Sequence, residues 1–162
     1  TYHPGEGLMI DTGTKIVNLA DMGGRRYLKT TITLEVAPPA ELALALEEAA
    51  QEFPALRIVI AHFGWPWVEE ALLLALKYRN VYLDTSIVYS GTPRDALQHV
   101  LAEQVGIQVL ERSLPHQVLF GSDYPVMAPE RWVAEFEKLP IKPEVRPLIM
   151  KENAVRLLRL KA

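Results

Sequence analysis

The sequence predicts an α/β protein built on a parallel sheet, and two observations carry that prediction. Short apolar runs at 56–61, 81–86 and 117–123 alternate with longer stretches of helical period. Each run is apolar on both of its faces, as a strand covered on two sides by helices requires.

In order along the chain, residues 4–30 are polar and glycine-rich, and Met22-Gly23-Gly24-Arg25-Arg26 reads as a turn. The segment 10–30 shows no sustained period and is expected to form a mobile loop near the site, where Arg25 or Arg26 meets an anionic substrate group or solvent. Residues 31–37 alternate like an extended segment and run into Pro38-Pro39. Pro39 suits a first helical turn, and Leu42, Leu46, Ala49 and Phe53 follow at helical spacing until Pro54 stops them. The run from Leu56 to Ala61 is the first clear strand and ends at His62-Phe63-Gly64. Pro66 opens a helix with an expected apolar stripe of Val68, Leu72, Ala75 and Leu76, closed at Asn80. The second strand is Val81 to Ser86. A helical stretch over 94–110, broken at Gly106, leads through Pro115 to a third strand, Gln117 to Asp123. Helices over 129–138, 143–150 and 153–160 complete the chain.

Thr1-Tyr2-His3 reads as the last residues of a further strand. A complete (β/α)8 barrel takes about 250 residues, so four strands with their helices amount to half of one. The chain is read as a single partial barrel domain over 1–162 that begins inside a longer reading frame, since it opens on Thr1 rather than Met.

Composition narrows the functions. Seventeen Lys and Arg against twenty Asp and Glu give a net charge of −3. No basic run is present to neutralise phosphates, so a nucleic-acid partner is not expected. No apolar stretch approaches the ~18 residues of a membrane span, so no membrane partner is expected either. The chain has no cysteine, which excludes disulfides, cysteine zinc sites and thiol catalysis. No signal peptide is visible at the N-terminus, and a cytoplasmic location is expected.

Polar residues gather where strands end: His3, His62, Asp84 with Ser86, and Asp123. Ligands of parallel α/β folds bind outside the carboxyl ends of the strands. Two histidines and two carboxylates there suit a divalent metal with nitrogen and oxygen ligands, such as zinc, manganese or iron. Blander readings stand beside these. Asp123 reads equally as the cap of the next helix, and Asp84-Thr85-Ser86 as capping or turn chemistry. His99 and His116 read as surface residues, and Trp65 and Trp67 as packing residues, with Trp65 close to the mouth.

Four segments in order carry a resemblance. They are Ile58-Val59-Ile60-Ala61-His62-Phe63-Gly64, Asn80-Val81-Tyr82-Leu83-Asp84-Thr85-Ser86, Val118-Leu119-Phe120-Gly121-Ser122-Asp123-Tyr124-Pro125, and Glu152-Asn153-Ala154-Val155-Arg156-Leu157-Leu158. Together they resemble the C-terminal half of the amidohydrolase-2 family, metal-dependent hydrolases and decarboxylases of TIM-barrel fold. The resemblance implies that His3 is the metal-ligand histidine ending strand five. It implies that His62 polarises substrate or water, and that Asp123 holds the metal and accepts a proton. The resemblance makes Asn153 structural. Zinc is the metal it favours, with manganese second; His62, Trp65 and Arg25 become the candidate substrate contacts.

The family's His-x-His at the end of strand one is absent from this sequence. Three functions follow as expectations. The first is a metal-dependent hydrolase of a small carbonyl or carboxylate substrate, completed by a missing N-terminal half-barrel or a second chain. The second is a nonoxidative decarboxylase of the same family, and the third a non-catalytic truncated scaffold or interaction module. An open half-barrel is also expected to be an oligomer rather than a monomer.

Overall fold

The computed structural model describes residues 8–18, 27–36, 39–87 and 92–160, with side chains described from residue 43 onward. The chain divides into two units, Thr1–Leu44 and Ala45–Ala162.

The first unit holds two long antiparallel strands, β1 (Leu8–Asn18) and β2 (Tyr27–Val36). This corrects the reading of 10–30 as one loop, because residues 10–18 and 27–30 are strand. Their period is hidden by a bulge. Asp11 pairs with Thr33 but Thr14 pairs with Thr31, so β1 spends one residue more than β2 around Gly13. An extra residue reverses the in-and-out alternation from that point on, and a two-residue pattern then fails across the whole segment. Of the extended segment expected at 31–37, residues 31–36 form the end of β2, and residue 37 lies outside the described residues. Residues 19–26, with Arg25 and Arg26, lie outside the described residues, as do Thr1, Tyr2 and His3.

Helix α1 (Pro39–Glu52) begins at its proline and ends before Pro54. Three strands then form a parallel sheet in the order β3 (Ile58–Ile60), β4 (Val81–Asp84), β5 (Val118–Leu119). Helix α2 (Val68–Lys77) crosses from β3 to β4. From β4 to β5 the crossover is α3 (Pro93–Leu97), which continues into a π-helical stretch Gln98–Val105, and α4 (Ile107–Arg112). The break between the last two is Gly106 at φ 85, as its position in the sequence predicts. After β5 come α5 (Pro129–Phe136), a π-helical turn Leu148–Glu152 and α6 (Asn153–Leu158).

Two packing expectations are corrected. β3 is not covered on both faces: Val59 is 44% exposed, and β3 is an edge of the described sheet. On α2 the buried residues are Val68, Ala71, Leu74 and Ala75, while Leu76 is 42% exposed. The helix turns small residues inward because it packs on Gly64, where a Cβ would stand only 2.3 Å from that of Ala71.

Buried polar side chains lock the ends of the sheet opposite the site. Gln117 is 3% exposed and donates to the carbonyls of Ala75, Tyr78 and Val81 at 2.6, 3.0 and 2.7 Å. Asn153 is fully buried and donates to the carbonyls of Pro115 and Val118 at 2.9 and 2.7 Å, a structural role that satisfies backbone acceptors as buried groups require. Asn80 does not cap α2. It donates to Ala50, Phe53 and Leu56, tying the α1–β3 connection to the start of β4.

Candidate active site

Each of the three parallel strands hands its chain to a polar turn at its carboxyl end. After β3, His62, Phe63 and Gly64 take φ values of 59°, 54° and 74°, three successive residues in the left-handed region. Non-glycine residues enter that region at a cost and are held there only by surrounding structure. Here the Phe63 side chain is fully buried, and the peptide hydrogens of Trp65 and Trp67 close the turn on His62 and Gly64 carbonyls at 2.9 and 2.7 Å.

The side chain that braces His62 comes from β4. Asp84 Oδ1 accepts the His62 backbone N–H at 2.8 Å, the Ser86 backbone N–H at 3.0 Å, and the Ser86 hydroxyl. The His62 ring meets the same segment: Nδ1 lies against the Ser86 carbonyl oxygen and 3.1 Å from its hydroxyl. Among the described residues, nothing bonds to Nε2 of that ring. The third strand joins through Thr85, fully buried, whose hydroxyl donates to the Gly121 carbonyl and accepts the Gly121 N–H, both at 3.1 Å. Gly121 lies close to Ser86: a Cβ there would sit 3.1 Å from Ser86 Cβ, tighter than an ordinary contact.

Two residues beyond Gly121 lies Asp123, half-buried and at φ 58. In the sequence, Tyr124-Pro125 reads as forcing an extended exit from Asp123, and the structure corrects this reading. The Tyr124–Pro125 peptide is cis, and the chain turns back so that Val126 donates to the Asp123 carbonyl at 2.8 Å. The alternative of a helix cap is corrected too, since the residue before α5 is Ala128 and no side chain caps that helix. No hydrogen bond or ion pair engages the Asp123 carboxylate among the described residues, which leaves its oxygens open.

His62, Asp84 and Ser86 are therefore brought into one hydrogen-bonded cluster, and Gly121 packs that cluster against the strand leading to Asp123. Trp65 is half-buried and packs on the hydrophobic core. His99 pairs with Glu103 on its helix, and His116 is exposed. Asp84 and Ser86 matter more than turn chemistry suggests. The signal available was their spacing of two, which puts both side chains on one side of an extended chain.

An open carboxylate and an open imidazole nitrogen are donors of the kind a divalent metal takes, so the residues present fit part of a metal shell. No cluster of three His, Cys, Asp or Glu side chains forms a complete one among the described residues.

The amidohydrolase family model matches residues 29–160 of the chain, from β2 through α6. This chain belongs to the amidohydrolase family. Members of that family usually bind divalent metals. As an amidohydrolase-family chain it is also similar to the crystal structure of an uncharacterized TIM-barrel protein from Bordetella bronchiseptica. The TM-score is 0.60 and the identity 29%, over 76% of this chain and 42% of that one. The parallel sheet and its helices are thus part of a TIM barrel. A shorter stretch is 36% identical over 62 residues to Protein fluG of Emericella nidulans, covering 38% of this chain and 7% of that protein. The chain spans less than half the length of either relative. No helix among the described residues is long and apolar enough to cross a membrane.

Proposed function

We propose that this amidohydrolase-family chain contributes half of the active site of a metal-dependent hydrolase acting on a small carbonyl or carboxylate substrate. The observation that supports it most is the pair of open groups at strand ends, the His62 ring edge and the Asp123 carboxylate, on strained turns that the fold holds in place. A divalent metal, zinc before manganese, would supply Lewis acidity that polarises a carbonyl and acidifies water. Asp123 would be one of the groups that hold that metal. The Asp123 carboxylate would also take the proton released as water adds to the carbonyl carbon. His62 would act on the substrate side, its Nε2 accepting a hydrogen bond from that water, and the proton held by Asp123 would pass to the oxygen or nitrogen that leaves. Trp65, three residues further along the same turn, is the proposed substrate contact. The remaining donors would come from barrel strands outside this sequence, on the same polypeptide or a second chain.

The test is product analysis with this sequence joined to the missing strands and supplied with zinc or manganese. Esters, lactones, amides and aromatic carboxylates are offered in water enriched in heavy oxygen. Hydrolysis places one heavy oxygen in the product carboxylate and releases no carbon dioxide. Carbon dioxide release without heavy-oxygen incorporation would replace this reading with the decarboxylase.

A further inference from the structure

We infer that Asp84 and Ser86 are positioning residues that hold the His62 imidazole as its Nδ1–H tautomer, with Nε2 left bare toward the reaction. The inference rests on the reading of His62 as a site residue, but it follows from counting hydrogens rather than from any activity. A neutral imidazole has one N–H and one lone pair, and the groups around it decide which nitrogen carries which.

The Ser86 carbonyl oxygen against Nδ1 can only accept. The Ser86 hydroxyl, 3.1 Å from Nδ1, can donate or accept, but it owns a single hydrogen. Asp84 Oδ1 takes that hydrogen. A carboxylate oxygen has none of its own to give, so the direction of this bond is fixed. The hydroxyl then presents only lone pairs to the ring. Both groups facing Nδ1 are acceptors, and Nδ1 must therefore donate. Without Asp84 the hydroxyl is free to turn its hydrogen toward the ring and favour the opposite tautomer.

The same carboxylate oxygen fixes where the ring sits. It accepts the His62 N–H at 2.8 Å, at a residue held in the left-handed region at φ 59, and the Ser86 N–H at 3.0 Å. From the other side Gly121 packs close to Ser86, which is 7% exposed. One oxygen thus orients the backbone under the ring and the hydroxyl beside it. In its resting form His62 works through Nε2 as an acceptor of a proton or a donor of an electron pair. It is not a resting acid.

The test reads the ring directly. The 162-residue chain is labelled with heavy nitrogen at histidine and examined by magic-angle-spinning nuclear magnetic resonance, which tolerates self-association. The pH is about 8.5, roughly two units above an ordinary histidine pKa. Subtracting the spectrum of His62→Asn isolates the His62 signals. The wild-type ring is expected to carry its hydrogen predominantly on Nδ1. Ser86→Ala removes the hydroxyl but keeps the carbonyl, and the Nδ1–H to Nε2–H ratio should fall by about fivefold, the worth of one net hydrogen bond. Asp84→Ala should lower it further. Asp84→Asn, whose Oδ1 keeps all three acceptor roles, should restore the wild-type ratio. A wild-type ring protonated at Nε2 overturns the inference, as does a change below twofold in Ser86→Ala. Should Asp84→Ala fail to fold, the wild type and Ser86→Ala decide alone. A protein that shows no hydrolysis but has the expected spectrum contradicts the proposed function and leaves this inference standing; the reverse result separates them the other way.

Discussion

Gly64 is the hinge on which the His62 turn depends, and replacing it with alanine is the most quantitative probe of the fold around the site. Two costs add. At φ 74 an alanine occupies the left-handed region, which costs about 1–2 kcal/mol for a residue with a Cβ. The new Cβ would also stand 2.3 Å from the Cβ of Ala71, where carbon atoms ordinarily approach no closer than about 3.5 Å. Both atoms are fixed to backbone, so no rotamer change relieves the overlap. Helix α2 or the turn must shift, and overpacking of this kind costs about 1–3 kcal/mol. Gly64→Ala should therefore destabilise the chain by about 2–5 kcal/mol, a large share of the ~5–15 kcal/mol that folded proteins possess. Urea denaturation at one fixed protein concentration measures it, since association makes apparent stability depend on concentration. The double variant Gly64→Ala with Ala71→Gly separates the two costs. It should recover the steric part, visible as a coupling of about 1–3 kcal/mol in the cycle, but not the left-handed part. Ala71→Gly by itself should cost about 1 kcal/mol of helix propensity. A Gly64→Ala change below about 0.5 kcal/mol, or no recovery in the double variant, would refute the close approach of α2 to the turn.

Two further outcomes follow from other parts of the molecule. The Thr92 hydroxyl and then its amide hold Asp95 below the usual carboxylate value of 3.8, in a reciprocal cap at the start of α3. A folded-state value lowered in this way gives stability that is present above pH 3.8 and lost as pH falls through the lower folded value, so Asp95→Asn should flatten the acid limb of a Tm-against-pH curve. Because Asp95 is fully exposed the effect is small, and superimposable limbs would contradict it. The isolated chain should self-associate in analytical ultracentrifugation. Val59 on the edge strand, Leu56 and Phe53 before it, and Leu73 and Leu76 on α2 are all more than 40% exposed, and an unpaired parallel edge invites pairing. A compact monomer at micromolar concentration would overturn that expectation.

Much of this architecture is legible in the residues. Pro39, Gly106 and the apolar cores of the three strands punctuate the chain where the structure does, because each acts through local backbone sterics or burial. What local pattern does not carry is register and depth. The pairing of β1 with β2 is disguised by one extra residue in β1. The face of α2 that turns inward is set by contact with Gly64, a residue that precedes the helix and outranks the longer apolar stripe of leucines. The site divides in the same way. His62 and Asp123 stand out as polar residues ending apolar runs, but the left-handed backbone at both follows from tertiary packing. Asp84 and Ser86 look like turn residues until β3 is placed beside β4, when one carboxylate oxygen is seen to serve three donors.

The proposed role of Asp123 as a metal-holding, proton-accepting carboxylate, rather than a turn residue, is tested most directly by Asp123→Asn. The substitution keeps size and shape, and the backbone carbonyl that closes the turn with Val126 is untouched. With this sequence joined to the strands that complete the barrel, metal content after dialysis and turnover are measured on the same samples. The account predicts that Asp123→Asn loses bound metal and loses turnover by about a hundredfold or more, the scale of a lost general base, with apo-protein Tm almost unchanged. Full turnover with unaltered metal content would contradict it.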